Sequence, residues 1–218
     1  MSEKKIIIFT GPSLSHIEAK KILKADYRSP VKRDDILKAI NEKADIIGII
    51  DGVFHQHPAV AHKEIMEAID KGITIVGGGS MGALRASELD TLGMIGIGYV
   101  YNEYAKGNIE SDDDVAITFD KLTGEAVSEA LVNIDYKLKK AVDEEIINND
   151  EKNELLSIAK SIYYPNRTYF NIFKESNLDE TKKEKLIDFI VKTEDIKKLD
   201  AIAVLEYIKN LRGKNNES

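Results

Sequence analysis

The chain has 218 residues, 43% of them hydrophobic and 32% charged, with a formal net charge of −7 and no cysteine. That length holds one sizeable domain, or a domain with a helical annex. The acidic balance argues against nucleic acid as a main partner, because phosphate contacts need a basic face. The missing thiol excludes disulfides, thiolate nucleophiles and cysteine-based zinc sites, so covalent catalysis would have to use a hydroxyl, a lysine, a carboxylate or a histidine.

From Lys4 to about Gly98 short apolar runs alternate with helical patterns. Ile6-Ile7-Ile8-Phe9 reads as a strand ending in Thr10-Gly11-Pro12-Ser13, and Ser15 to Lys24 as an amphipathic helix. Tyr27 to Val31 is a brief extended piece, since Pro30 forces Ser29 out of helical geometry. Asp34 to Lys43 is a helix, Ile46 to Ile50 a buried strand ending at Asp51-Gly52, and Pro58 to Lys71 a helix with Val60, Ile65, Met66 and Ile69 as its apolar stripe. Ile73 to Val76 is the next strand, and Met81 to Leu89 the next helix. Near-continuous apolar strands alternating with helices predict an α/β fold, a parallel sheet covered by helices.

The remainder predicts helices. Tyr99 to Ala105 is a short helix ended by Gly107, and Val115 to Phe119 has the composition of a strand. Ile134, Leu138, Ala141, Val142 and Ile146 share one helical face; Leu155, Ile158, Ala159 and Ile162 share another, stopped by Pro165. Leu186, Ile187, Ile190 and Val191, then Ala201, Ile202, Leu205, Ile208 and Leu211, mark two more. The expected organisation is an α/β core over 1–133, a helical region over 134–212 packed on it, and a disordered tail over 213–218. No run approaches membrane-spanning length, and the opening Met1-Ser2-Glu3-Lys4-Lys5 leads into a strand rather than a signal peptide, so a cytoplasmic protein is expected.

In an open parallel sheet, ligands bind at the carboxyl ends of the strands. Those ends are Thr10 to Ser13, Lys32 to Asp35, Asp51 to His57 and Gly77 to Gly82, and they hold most of the chemistry. Gly78-Gly79-Ser80-Met81-Gly82 satisfies G-x-S-x-G between a strand and a helix, which places Ser80 as a candidate nucleophile and the N–H groups of Met81 and Gly82 as an oxyanion site. Every histidine (His16, His55, His57, His62) precedes Ser80, so the usual Ser, acid, His order is absent. A lysine is the natural base: desolvation lowers its pKa and lets it accept the serine proton. Lys63 reaches the strand edge from its helix, and Lys32 at another edge is its rival. Asp51, His55, His57 and His62 also allow a zinc site, and Asp112-Asp113-Asp114 a magnesium site or a solvated acidic loop.

Ile49-Ile50-Asp51-Gly52-Val53-Phe54, Pro58-Ala59-Val60 with His62-Lys63-Glu64-Ile65, Ser80-Met81-Gly82-Ala83-Leu84-Arg85-Ala86 with Glu88-Leu89, and Gly93-Met94 with Gly96 and Gly98, in that order, resemble the TfuA family. Asp112 to Ala116 and Leu131-Val132-Asn133 extend the likeness, which covers roughly Ile8 to Asn133. Departures are the unbroken Gly77-Gly78-Gly79, where members often carry an alanine, and Lys32-Arg33-Asp34, where many carry a glycine before the aspartate. The second departure favours Lys63 over Lys32, because Lys63 lies inside a matching motif.

The resemblance implies a partner of YcaO enzymes, which activate a peptide amide with ATP and convert it to a thioamide. It implies a hydrolase-like Ser–Lys site, Ser80 with Lys63, that releases sulfur from a ThiS-like ubiquitin-fold carrier ending in a thiocarboxylate. It also implies help to YcaO in binding its peptide; in methanogens the target is methyl-coenzyme M reductase. With no cysteine, the chain cannot carry sulfur as a persulfide, so sulfur must stay on the carrier and leave as sulfide. Neither a cofactor nor a metal is expected. Ser13, Asp51, His62 and Arg85 are candidate substrate contacts; Arg85 with Glu88 at i,i+3 equally reads as a structural pair. Two other readings are a non-catalytic adaptor that docks YcaO, peptide and carrier, and a metal hydrolase built on His55, His57 and His62. Tyr99, Tyr101 and Tyr104 are candidate docking anchors or packing residues.

Overall fold

A computed structural model describes residues 4–54, 58–120 and 126–214. His55, His57 and the tail beyond Lys214 lie outside the described residues. Five strands, β1 (Ile6–Phe9), β2 (Asp26–Arg28), β3 (Ile46–Ile49), β4 (Thr74–Gly78) and β5 (Ile95–Ile97), form one sheet in the order β2-β1-β3-β4-β5. Every pairing is parallel, with Ile8 opposite Gly48 and Ile49 opposite Gly77. This is a doubly wound order, whose direction reverses between β1 and β3. The strands are buried along their whole length in β1 and β3, which is why their sequences are isoleucine-rich and without polar alternation.

The connecting helices are α1 (His16–Ile22), α2 (Asp35–Asn41), α3 (His62–Asp70), α4 (Met81–Leu89) and α5 (Tyr99–Ala105). Helix α3 begins four residues later than the apolar stripe predicts, at His62, because Pro58 to Val60 spend their carbonyls on partners outside the helix. The strand β5 follows Gly93 and is absent from the sequence pattern, since three half-buried residues carry too little of it. Val115 to Phe119 holds no strand; Phe119 makes one isolated bridge to Ala126.

The remaining helices are α6 (Leu131–Asp143), α7 (Asn149–Ser161), α8 (Tyr169–Glu175), α9 (Glu180–Lys192) and α10 (Ile196–Lys214). The chain divides into two compact units, Met1–Glu110 with Lys197–Ser218, and Ser111–Ile196. In the first, α10 returns to the sheet: Ala201, Val204, Leu205 and Ile208 pack with Ile6, Ile8, Ile46 and Val76. In the second, Leu131, Ile134, Leu138, Leu155, Ala159, Ile172, Leu186 and Ile190 form a separate core. Val191 stands outside that core at 77% exposure, so the apolar face of α9 is narrower than its sequence suggests. Fully buried Arg167 is the hub of the second unit. Its guanidinium donates to the carbonyls of Ala159, Ile162 and Asp113 and pairs with the Asp113 carboxylate.

Candidate functional site

The turn from β4 into α4 closes over three residues. The Ser80 N–H donates to the Gly78 carbonyl at 2.9 Å, across Gly79 at φ +76°. That is the γ-turn geometry, which only glycine enters without strain. Ser80 therefore stands at the N-cap of α4, 2% exposed. Serine and threonine caps usually accept a hydrogen bond from the second or third helical N–H. Ser15 and Thr168 do so in this chain, at α1 and α8. Ser80 does not: its hydroxyl makes no hydrogen bond among the described residues.

The two expected oxyanion donors differ. Met81 is the first residue of α4, so its N–H has no acceptor within the helix. The Gly82 N–H donates to the Ile50 carbonyl at 3.1 Å. Gly82 also lets α4 lie directly on β3, since a Cβ there would lie 2.6 Å from the Ile49 carbonyl carbon and would run into its oxygen.

Asp51 and Ser13 meet at the β1/β3 switch point. Asp51 is 3% exposed. Its Oδ2 accepts from the N–H groups of Gly11 (2.8 Å) and Ser13 (3.0 Å), and its Oδ1 from the Ser13 hydroxyl at 2.6 Å. Thr10 Oγ1 lies 3.4 Å from Oδ2 and 3.0 Å from the Leu14 carbonyl. The carboxylate thus shapes the β1–α1 loop from within.

Lys63 is the second residue of α3 and exposed. Lys32 is also exposed, next to the bridge between Val31 and Gly52. Neither amine has a hydrogen bond or ion pair among the described residues, and none joins either to Ser80. His62 and Arg85 converge on one acceptor: Glu88 Oε2 lies 2.8 Å from His62 Nε2 and 2.6 Å from Arg85 Nη1. Glu88 appears in the sequence only as the i,i+3 partner of Arg85; its contact with His62 is tertiary.

Glu64, present in the sequence only as one position of the His62-Lys63-Glu64-Ile65 motif, is a buried carboxyl group. It is 5% exposed; its Oε1 accepts from the Ala61 N–H at 3.2 Å and lies 3.4 Å from Arg33 Nε, while Oε2 is buried without a partner. Burial pushes its pKa above the usual carboxylate range, against the pull of the Ala61 N–H. The signal available was its place three residues after the N-cap, where a glutamate reaches back to the cap N–H.

Among the described residues no group of three histidines, aspartates or glutamates is arranged to hold a metal ion. Of the aspartate run, Asp113 pairs with Arg167, and Asp114 accepts from the Ser111 N–H. The tyrosines are packed rather than presented. Tyr104 is 8% exposed, and half-buried Tyr101 donates its hydroxyl to Asp90 at 3.0 Å.

A parallel doubly wound sheet, with Ser80 on a glycine turn at the strand ends, defines an α/β protein. The family model described as TfuA-like protein matches residues 51–168, just over half of the chain, and the chain belongs to that family. No curated protein matches it. No helix among the described residues is long and apolar enough to cross a membrane.

Proposed function

We propose that this protein hydrolyses the C-terminal thiocarboxylate of a ThiS-like sulfur carrier and delivers the sulfide to a YcaO enzyme for peptide thioamidation, in the cytoplasm and without a cofactor. The observation that carries the reading is the Ser80 hydroxyl. It sits on a γ-turn at a helix N-terminus, and it leaves its own helix uncapped. A serine or threonine at an N-cap ordinarily takes that N–H, as Ser15 and Thr168 show for their own helices. Family membership supports the partner, since the resemblance set out above ties such chains to YcaO.

The reaction follows in two stages. With the carrier docked over the strand ends and Lys63 covered by it, Lys63 takes the Ser80 proton, and the oxygen attacks the thiocarboxylate carbon. The Met81 N–H and the positive end of α4 stabilise the oxyanion. Collapse breaks the carbon–sulfur bond; the electron pair leaves on sulfur, which takes the proton back from Lys63 as hydrosulfide. Water then cleaves the Ser80 ester and regenerates the hydroxyl, leaving a carboxylate on the carrier. Because the Gly82 N–H is spent on Ile50, the second oxyanion donor must come from elsewhere in the turn or from the substrate complex.

The test is sulfide release from purified thiocarboxylated carrier. Wild-type protein should release it, and Ser80→Ala should not, with an unchanged thermal transition. Release by Ser80→Ala at near wild-type rate overturns the mechanism. No release by wild type, together with co-purification with YcaO, leaves the protein as an adaptor.

A further inference from the structure

The segment that leads into α3 is held by two arginines from different parts of the sheet unit. Its three successive carbonyls each have an arginine donor. Pro58 O accepts from the Arg33 main-chain N–H at 2.9 Å, Ala59 O from Arg33 Nε at 3.2 Å, and Val60 O from Arg85 Nε at 3.3 Å. Arg33 comes from the β2–α2 connection. Arg85 comes from α4, five residues past Ser80, and its side chain is only 13% exposed. Its other arm pairs with Glu88, which also holds His62, the first residue of α3. The bond to Val60 O and the contact of Glu88 with His62 therefore join the helix that follows Ser80 to the start of the helix that carries Lys63.

We propose that Arg85, with Glu88, is a positioning residue: a strut that sets the start of α3, and so Lys63, relative to Ser80. This rests on the reading of Ser80 and Lys63 as nucleophile and base. It departs from the reading of Arg85 as a substrate contact that meets the negative charge of the thiocarboxylate, and develops that of Arg85 and Glu88 as a structural pair. Two donor atoms of its guanidinium are already spent on protein acceptors, and its charge is already met by a carboxylate. The guanidinium presents Nε to Val60 O and Nη1 to Glu88 from two atoms of one rigid planar fork, which the compact ammonium of a lysine does not reproduce. A base displaced by about 1 Å loses on the order of 100-fold in rate, so a strut matters to catalysis without touching substrate.

The test compares Arg85→Gln, Arg85→Lys and Glu88→Gln by two readouts. The first is hydrogen exchange of the amides from Val60 to Glu64, which needs no substrate. The second is sulfide release from thiocarboxylated carrier, resolved into kcat and KM. The strut predicts faster exchange in that segment for all three variants. It predicts a fall of about 10- to 100-fold in kcat with KM within twofold, and little rescue by lysine. Charge recognition predicts the reverse: unchanged exchange, a raised KM, partial rescue by lysine and a near-normal Glu88→Gln. That outcome overturns the proposal. If wild type releases no sulfide, the hydrolase reading fails, and unchanged exchange in Arg85→Gln would separately refute the strut.

Discussion

Removing the Asp51 carboxylate gives the sharpest structural test. Three donors end on it: the Gly11 N–H, the Ser13 N–H and the Ser13 hydroxyl, at 2.8, 3.0 and 2.6 Å. The Thr10 hydroxyl contributes little, because its single proton is better used on the Leu14 carbonyl at 3.0 Å than on Asp51 at 3.4 Å. In Asp51→Ala all three donors lose their acceptor. Each buried donor left unpaired costs roughly 1–3 kcal/mol. Water entering beside half-buried Gly11 recovers part of this, so the total should be about 3 kcal/mol. For a chain of this length, that lowers Tm by roughly 6–12 °C. Asp51→Asn should cost only about 1 kcal/mol. Its amide oxygen can take both N–H groups, and its NH₂ can donate to a Ser13 hydroxyl that has turned to accept. Urea titration and calorimetry on the three proteins read the difference. A loss below about 1 kcal/mol in Asp51→Ala, or equal losses in the two variants, would refute the view that Asp51 acts by shaping the β1–α1 loop.

Three further outcomes follow from the same geometry. Gly82→Ala should destabilise the protein by more than about 3 kcal/mol, because the new methyl must push α4 off the Ile49 peptide; soluble protein with a wild-type melting curve would contradict the contact. In sulfide-release assays Lys63→Ala should lose about 100-fold or more and Lys32→Ala less than about threefold; the opposite ranking would make Lys32 the base. Glu64 binds a proton more tightly folded than unfolded, so its contribution to stability is present below the ordinary glutamate pKa and is lost as pH rises through the raised value. Glu64→Gln should therefore be more stable relative to wild type at pH 8 than at pH 4, and a pH-independent difference in Tm would contradict that coupling.

Local pattern made much of this protein legible. Isoleucine-rich runs without polar residues in β1 and β3 imply strands buried on both faces, and their alternation with helical stretches implies a parallel sheet. The glycine run followed by Ser80 marked the β4–α4 turn, because a turn this tight needs a residue free to take positive φ. These features depend on neighbours within a few residues, which the sequence displays directly. The decisive placements depend on partners far away. Helices α9 and α10 both carry apolar residues at helical spacing, yet while α9 joins the helical core, α10 closes the sheet. Its Asp200 caps α5 through the N–H groups of Tyr99 and Val100, a hundred residues earlier in the chain. The motif offers Gly82 as an anion donor, but its N–H is bonded to the Ile50 carbonyl; the strand end offers Asp51 as a ligand contact, but the β1–α1 loop occupies its oxygens. Periodicity records which face of an element is apolar; it does not record which neighbour covers that face, or which polar atoms the neighbour consumes. Hydrogen-bonding capacity is settled only when the sheet assembles, and that is where Ser80 is left with its hydroxyl unbonded.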